Sequence, residues 1–171
     1  MSRNGGDSAP DAAPDAAPGP SAGPGASTVI ESGGPEETAA AGRKLAAELR
    51  RGDVVLFEGE VGAGKSTMIR SAMRELGIEG AIPSPTFTIG RLYRGRDPVS
   101  HLDLYRLGSI EDEDPGLLAE YLGPDRIVFV EWPGPAGPGL AATAVRSFTV
   151  SLEHRGGDRR RIEIALTLPA G

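Results

Sequence analysis

One nine-residue segment has the residue types and spacing of a phosphate-binding loop. It matches the pattern G-x-x-x-x-G-K-[ST] in full. The segment reads Gly59, Glu60, Val61, Gly62, Ala63, Gly64, Lys65, Ser66 and Thr67. Glycines let backbone N–H groups approach phosphates closely, the lysine adds a positive charge, and the serine hydroxyl can ligate Mg²⁺. An apolar run precedes the segment and a helix-like run follows it, which is the setting that such a loop requires.

Two acidic residues occupy strand-like runs further along the chain. Glu131 closes the apolar run 127–130, and Asp103 lies in the alternating run 101–106. Open α/β sheets bind ligands at the carboxyl ends of their strands. We therefore expect Glu131 to support Mg²⁺, directly or through water, and Asp103 to position an attacking water or to touch the metal. The alternatives are acids that merely face solvent, and His101 is expected to be structural.

Two further segments suggest contacts with a nucleotide. Ser84, Pro85 and Thr86 resemble a switch, because proline restricts the residue before it and two hydroxyls are available to a γ-phosphate. A plain turn is the alternative. The cluster Arg159–Arg161 indicates either a solvated edge strand or an arginine that reaches the nucleotide, and we assign the latter role to Arg159.

The order of the predicted elements indicates the fold class. We expect an α/β, P-loop NTPase-like three-layer domain with a mostly parallel central sheet and a C-terminal antiparallel hairpin. Helices are predicted at 35–50, 66–76 and 109–122, strands at 54–57, 86–93, 99–104 and 127–130, and the hairpin at 147–154 and 159–168.

Composition divides the chain into a tail and one domain. Residues 1–27 are rich in Ala, Pro and Gly, so we expect a disordered tail, followed by the P-loop domain at 28–171. The tail lacks the apolar core of a secretory signal, and no apolar run is long enough to cross a bilayer. These features predict a cytoplasmic protein without a membrane partner. The net charge of −6 disfavours a direct grip on nucleic acid, though not contact through a partner.

Four motifs in this order resemble the TsaE (YjeE) family, bacterial P-loop ATPases needed to make threonylcarbamoyladenosine in tRNA. The resemblance covers roughly residues 35–133, and Glu37-Thr38 before Gly42 also resembles the family's first-helix pattern. Ser66 replaces the threonine commoner in the family but keeps the hydroxyl. The four motifs are 59–67, 84–87, 101–107 and 131–133.

The resemblance implies cofactors, partners and residue roles that composition does not show. It implies ATP and Mg²⁺ as cofactors and a TsaB–TsaD-like pair as partner, with tRNA reached only through that complex. Lys65 would hold phosphates, Ser66 and Glu131 would serve Mg²⁺, and Asp103 would assist hydrolysis. Thr38 or its neighbours would lie by the base, and Trp132 would pack beside the site.

Other P-loop classes fit the residues less well. A small-molecule kinase would need a lid, and no Arg-rich lid segment lies between the predicted strands. A GTPase would carry an [NT]-K-x-D tetrapeptide, which the sequence lacks. A non-hydrolysing nucleotide-sensing module would not need Asp103 and Glu131. An ATPase that is slow alone, because it has no obvious arginine finger, accounts for both acids.

Overall fold

The computed structural model describes residues 25, 27–85, 88–106, 116 and 118–168 of the chain. Within them, seven strands and three α-helices form one sheet with helices on its faces. The strands are β1 (Ser27–Ser32), β2 (Asp53–Glu58), β3 (Gly90–Arg94), β4 (Pro98–Asp103), β5 (Ile127–Glu131), β6 (Arg146–His154) and β7 (Arg160–Thr167). The helices are α1 (Pro35–Glu48), α2 (Lys65–Glu75) and α3 (Gly137–Ala142).

The sheet is mixed, with the strand order β1-β7-β6-β2-β5-β4-β3. The four central strands β6, β2, β5 and β4 pair in parallel, and the pairs β1–β7, β7–β6 and β3–β4 are antiparallel. The predicted parallel sheet is therefore confirmed for the centre only. The C-terminal hairpin is inside the sheet rather than at its edge, because β1 pairs with β7 along six positions.

Alternation along the central strands gives the sheet an apolar core on each face. In β2, Val55 and Phe57 join the core beneath α1 and α2, whereas Val54 and Leu56 join the core beneath α3. Successive side chains of a strand point to opposite faces, so a fully apolar strand such as β2 or β5 must be covered on both. The result is a helix–sheet–helix arrangement with the parallel strands buried in the middle.

Helices α1 and α2 pack against each other at a glycine. A Cβ built at Gly42 would overlap the backbone carbonyl oxygen of Met68, so only glycine allows this approach. Pro35 begins α1, where its missing N–H costs nothing, and Glu36 and Glu37 lie in the first turn, where the helix dipole favours acids. The helix ends two residues before the position predicted from sequence.

Two sequence-based expectations differ from the structure. No element was predicted before Pro35, yet β1 begins at Ser27, because its pairing with β7 is long-range and its own pattern is short. The strand expected at 86–93 begins only at Gly90. The Gly- and Pro-rich segment 133–139 contains a 3₁₀ turn at 134–136 and the start of α3.

Part of the acidic helix predicted at 109–122 lies outside the described residues, as do Thr86 and Phe87. In its described portion, residues 116 and 118–121 form turns, and Leu118 lies in the core beneath α3. Within the described residues, no helix combines the length and apolar character needed to cross a membrane.

Candidate functional site

The loop between β2 and α2 is held in a conformation that glycine permits. Gly59, Gly62 and Gly64 have φ values of 130°, 79° and 102°, which side-chain-bearing residues rarely adopt. A Cβ at Gly59 would also overlap the carbonyl oxygen of Leu152 in β6. Helix α2 begins at Lys65, and the first N–H groups of a helix have no partner within it. The loop and helix start thus present N–H donors and a positive dipole end to an anion.

Lys65 lies inside this loop rather than in solvent. Its side chain is buried, with Nζ donating to the carbonyl oxygens of Gly59 at 2.5 Å and Glu60 at 2.9 Å. The ammonium also lies 3.7 Å from the centroid of the Trp132 ring. Burial lowers the pKa of Lys65 below its usual value, and the nearby charges of Glu131, Asp103 and Glu60 oppose that shift.

Glu131 links the loop to the neighbouring strand β4. Its carboxylate is buried: Oε1 accepts a hydrogen bond from Nε2 of His101 at 2.8 Å, and Oε2 accepts one from Ser66 Oγ at 3.5 Å. His101 is equally buried, and its Nδ1 has no hydrogen-bond partner among the described residues. The imidazole therefore restrains one carboxylate oxygen and leaves the other facing the serine hydroxyl.

Asp103 is the register partner of Glu131 across the β4–β5 pair. Both acids end their strands at the carboxyl edge of the parallel sheet, which is where the sequence pattern predicted them. Oδ1 of Asp103 accepts a hydrogen bond from the backbone N–H of Tyr105 at 3.0 Å, which fixes the side chain at the strand end.

Trp132 follows Glu131 in a left-handed backbone conformation. Its φ of 57° makes it the one described non-glycine residue with positive φ. Such a conformation costs of order 1–3 kcal/mol and persists only where neighbouring structure enforces it. Here the Trp132 N–H donates to the carbonyl of Phe57 at 3.2 Å, and its ring packs against Tyr105 at a centroid distance of 5.0 Å.

These residues surround one cleft of about 350 Å³. It contains most of the residues predicted to bind nucleotide or metal, together with one predicted switch residue and two aromatic rings. Its lining comprises Val61, Gly62, Gly64, Lys65, Ser66, Thr67, Ser84, Asp103, Tyr105, Glu131 and Trp132. A lysine, a serine hydroxyl and two carboxylates in a glycine-rich cleft are the donor set expected for a nucleotide phosphate with Mg²⁺.

Some predicted loop and switch residues do not line this cleft. Gly59 and Glu60 contribute carbonyl oxygens to Lys65, and Ala63 is buried. Pro85 is buried, and its carbonyl accepts a hydrogen bond from the N–H of Thr88 at 2.9 Å.

Thr38 and Arg159 lie on another side of the loop. Thr38 is buried beside Gly64, and its hydroxyl lies 2.9 Å from that of Ser32. Arg159 is exposed and lines a separate hollow of about 550 Å³. That hollow is bordered by Glu31, Ser32, Gly33, Glu37, Arg155 and Arg159, so Arg159 and the neighbours of Thr38 share it. Their assignment to nucleotide binding stays a prediction.

Sequence reasoning missed two contacts of the site. His101 was expected to be structural, and it is buried, but its hydrogen bond to Glu131 was not predicted. In the arginine cluster, Arg160 rather than Arg159 contacts the phosphate-binding loop, through the carbonyls of Gly62 and Ala63. Alternation places His101 and Asp103 on one strand face, which was an available signal for the first contact. No sequence pattern distinguishes the three arginines.

Comparison with known proteins agrees with the motifs. Residues 32–162 match the family model described as threonylcarbamoyl adenosine biosynthesis protein TsaE. Curated proteins named tRNA threonylcarbamoyladenosine biosynthesis protein TsaE are 43% identical over 54% of the chain in Synechocystis sp. and 43% identical over 53% in Streptomyces coelicolor. These matches cover 61% and 64% of the relatives, so the chain spans somewhat under two thirds of their length.

A solved structure shows the same fold. The crystal structure of YdiB from Bacillus subtilis superposes with a TM-score of 0.67 and 29% sequence identity, covering 86% of this chain and 89% of that chain. The family match extends over most of the domain and includes both the loop and the two strand-end acids. The family predicted from the four motifs is confirmed, and the chain belongs to the TsaE family of threonylcarbamoyl adenosine biosynthesis proteins.

Proposed function

We propose that this protein is a Mg²⁺-dependent ATPase of the cytoplasmic machinery that makes threonylcarbamoyladenosine in tRNA. It acts with a TsaB–TsaD-like pair and meets tRNA through that complex. The observation that carries the proposal is the convergence of Lys65, Ser66, Asp103 and Glu131 on one cleft. These four residues come from three separate segments of the chain, and each has a distinct task in phosphoryl transfer to water.

Binding depends first on the loop and Lys65. The N–H groups at the start of α2 donate to phosphate oxygens, and the Lys65 ammonium adds a fixed positive charge. In the structure this ammonium rests on two loop carbonyls and the Trp132 ring, so it is already confined to the cleft. Burial lowers the pKa of Lys65 because desolvation disfavours the charged ammonium. A bound phosphate would stabilise that charged form, so the site favours an anion.

Ser66 and Glu131 are the residues that would hold Mg²⁺. The hydroxyl and carboxylate oxygens lie 3.5 Å apart at the rim of the cleft, and hard oxygen donors of this kind suit the ion. Bound Mg²⁺ would neutralise charge on the phosphates during transfer. His101 holds the far oxygen of Glu131 and so keeps the near oxygen directed at Ser66.

The proposal assigns to Asp103 the orientation of the attacking water. It lies beside Glu131 across the sheet, lines the cleft, and is held by the N–H of Tyr105. A carboxylate in this position accepts a proton or a hydrogen bond from water next to the phosphate chain.

The cleft has a feature that favours activation by a partner. None of the described residues that line it is an arginine. Transition-state charge on the transferred phosphoryl group is commonly neutralised by an arginine supplied in cis or in trans. A partner that supplies such a charge, or that changes the position of Ser84 in the cleft, would raise turnover.

The decisive experiment compares the two lysines of the chain. Lys65→Ala should abolish ATP hydrolysis and weaken ADP binding at least about 100-fold, because the phosphates lose their fixed cation. Lys44→Ala is the matched control: Lys44 is exposed on α1 and borders an apolar groove instead of the cleft. ADP affinity by calorimetry and Mg²⁺-dependent phosphate release are the readouts. Equal affinity and turnover in the two variants would refute the assignment, and phosphorylation of a small metabolite by the wild-type protein would favour a kinase.

A further inference from the structure

Arg160 connects the phosphate-binding loop to the C-terminal part of the sheet. It is the first residue of β7 and is half-buried, although it belongs to a cluster of three consecutive arginines. Its two neighbours behave differently. Arg159 is exposed, and Arg161 forms ion pairs with Glu163 and Glu31.

The guanidinium of Arg160 binds four backbone carbonyls. Nε donates to Ala63 and Nη2 donates to Gly62, each at 3.1 Å. Nη1 donates to Gly157 at 2.9 Å and to Arg159 at 2.8 Å. One edge of the planar group therefore spans two successive carbonyls of the loop, and the other side is tied to the turn between β6 and β7.

We propose that Arg160 is a positioning residue that holds the phosphate-binding loop in its binding conformation; the inference rests on the proposed function of the loop. The two loop carbonyls that it binds belong to peptide units of the anion-binding turn. A trans peptide directs its C=O and N–H in opposite directions, so an Ala63 carbonyl held by the guanidinium keeps the N–H of Gly64, a residue that lines the cleft, directed away from Arg160. The N–H of Ala63 donates to the carbonyl of Glu60 at 3.1 Å, which closes the turn whose Gly62 carbonyl Arg160 also binds. The guanidinium also offsets the partial negative charge of oxygens that would otherwise repel phosphate.

The loop needs such a restraint because of its composition. Gly62 and Gly64 both have positive φ, and glycine loses more conformational freedom on ordering than any other residue. Val61 at the tip of the loop is 77% exposed and packs little surface that would fix it. A loop already fixed by Arg160 pays less ordering entropy when a nucleotide binds, which is preorganisation.

The geometry also separates this role from that of an arginine finger. All four contacts of the guanidinium are with backbone carbonyls, and Arg160 is absent from the described lining of the cleft. Its effect is therefore expected on ground-state and transition-state binding alike. Uniform binding of this kind changes KM and leaves kcat in place.

The test compares Arg160→Gln and Arg160→Lys with Arg161→Gln. Both Arg160 variants should raise the Kd for ADP and the KM for ATP about tenfold, with kcat within about twofold of the wild-type value. Lysine keeps the charge but cannot span two carbonyls with a rigid fork, so it should not restore affinity. Arg161→Gln, which removes a neighbouring charge from the same strand, should leave all three constants unchanged. Amide hydrogen exchange of the peptide covering 59–67 should quicken in the Arg160 variants only.

Several results would overturn the inference. Wild-type ADP affinity in both Arg160 variants would do so, as would full affinity in Arg160→Lys, which would assign a purely electrostatic role. A fall in kcat with unchanged KM would make Arg160 catalytic, and a lower Tm with unchanged Kd would make it merely structural. Lys65→Ala, measured alongside, separates the two proposals: if it loses ADP affinity while the Arg160 variants keep it, only the positioning role fails.

Discussion

At the scale of single residues, the two oxygens of the Glu131 carboxylate have different neighbours. Oε1 faces the buried imidazole of His101, and Oε2 faces the hydroxyl of Ser66. The first contact orients the side chain and the second places a negative charge at the cleft. The charge and the orientation can therefore be separated by substitution.

Glu131→Gln should fold like the wild type but hydrolyse ATP at least about 100-fold more slowly. The amide is nearly isosteric and its oxygen can still accept from His101, whereas its neutral group supports Mg²⁺ poorly. Phosphate release at varied Mg²⁺, together with Tm, measures both effects. Glu58→Gln is the matched control, since Glu58 also ends a strand but is exposed and lies outside the described lining of the cleft. Wild-type turnover of Glu131→Gln would return this acid to a structural role.

Individual residues of the cleft were easier to predict from sequence than the contacts between distant segments, for a physical reason. Local patterns mark the four polar residues of the cleft. A glycine-rich loop marks Lys65 and Ser66, an alternating run marks Asp103, and the end of an apolar run marks Glu131. Arg160 and the hollow beside Thr38 are marked by nothing local, because their partners are distant in sequence. Arg160 contacts Gly62 across 98 positions, and only the pairing of β7 brings it there.

At the scale of elements, the packing of α1 on α2 depends on one missing side chain. Alanine at position 42 would place a Cβ against the carbonyl oxygen of Met68, which is backbone and cannot rotate away. Lys65 begins α2, so a shift of this helix would also move Lys65 in the cleft. The helix–helix contact thus supports the cleft from behind.

Gly42→Ala should lower the free energy of unfolding by about 1–3 kcal/mol through overpacking. This sign is opposite to the gain of up to about 1 kcal/mol that helix propensity alone would give. Gly139→Ala in α3 is the control, since a Cβ there meets nothing within 4 Å, and it should be neutral or stabilising. Urea titration of both variants decides the sign, and a stabilised Gly42→Ala would contradict the packing argument.

Elements were predicted well where a strand or helix carries its own signal and poorly where pairing defines it. Strands β2, β4 and β5 are continuous or alternating apolar runs, and each begins and ends within a residue or so of its expected limits. Strand β1 is recognised only through its six register pairs with β7. The sheet therefore has antiparallel pairs at both of its edges, whereas the sequence predicted antiparallel pairing for the C-terminal hairpin β6–β7 alone.

At the scale of the whole molecule, the boundary between tail and domain lies close to β1. The sequence predicted it after residue 27, and β1 begins at Ser27. Strand β1 is part of the packed domain, because Ile30 packs against the main core and the Ser32 hydroxyl lies 2.9 Å from that of Thr38. The N-terminal region therefore divides into a segment expected to be dispensable and one expected to stabilise the domain.

Removal of residues 1–24 should leave Tm within about 2 °C, because Ala, Pro and Gly bury little apolar surface. Removal of residues 1–32, which also deletes β1, should lower Tm by at least about 5 °C. Differential scanning fluorimetry with an external dye compares the two truncations. A large drop in the shorter truncation would show that the tail docks on the domain.

Addition of a TsaB–TsaD-like complex should raise ATP turnover severalfold, whereas tRNA alone should not. The chain has a net charge of −6, which opposes direct binding of a polyanion, and no described arginine lines the cleft. Turnover at fixed Mg²⁺ and salt, with each component added separately, measures the effect. Glu131→Gln with the complex is the control for contaminating ATPases. Strong stimulation by tRNA alone would contradict the partner-activated mechanism.

The place of Trp132 has a spectroscopic consequence. It is the one tryptophan of the chain, and its ring lies 3.7 Å from the Lys65 ammonium and 5.0 Å from the ring of Tyr105. Indole emission excited at the red edge therefore originates at the cleft alone, without an introduced label. On the proposed function, a bound phosphate would draw the ammonium off the ring, and the changed electric field at the indole would shift its emission. Stopped-flow recording of that native signal would then give the association and dissociation rates of the nucleotide from unmodified protein.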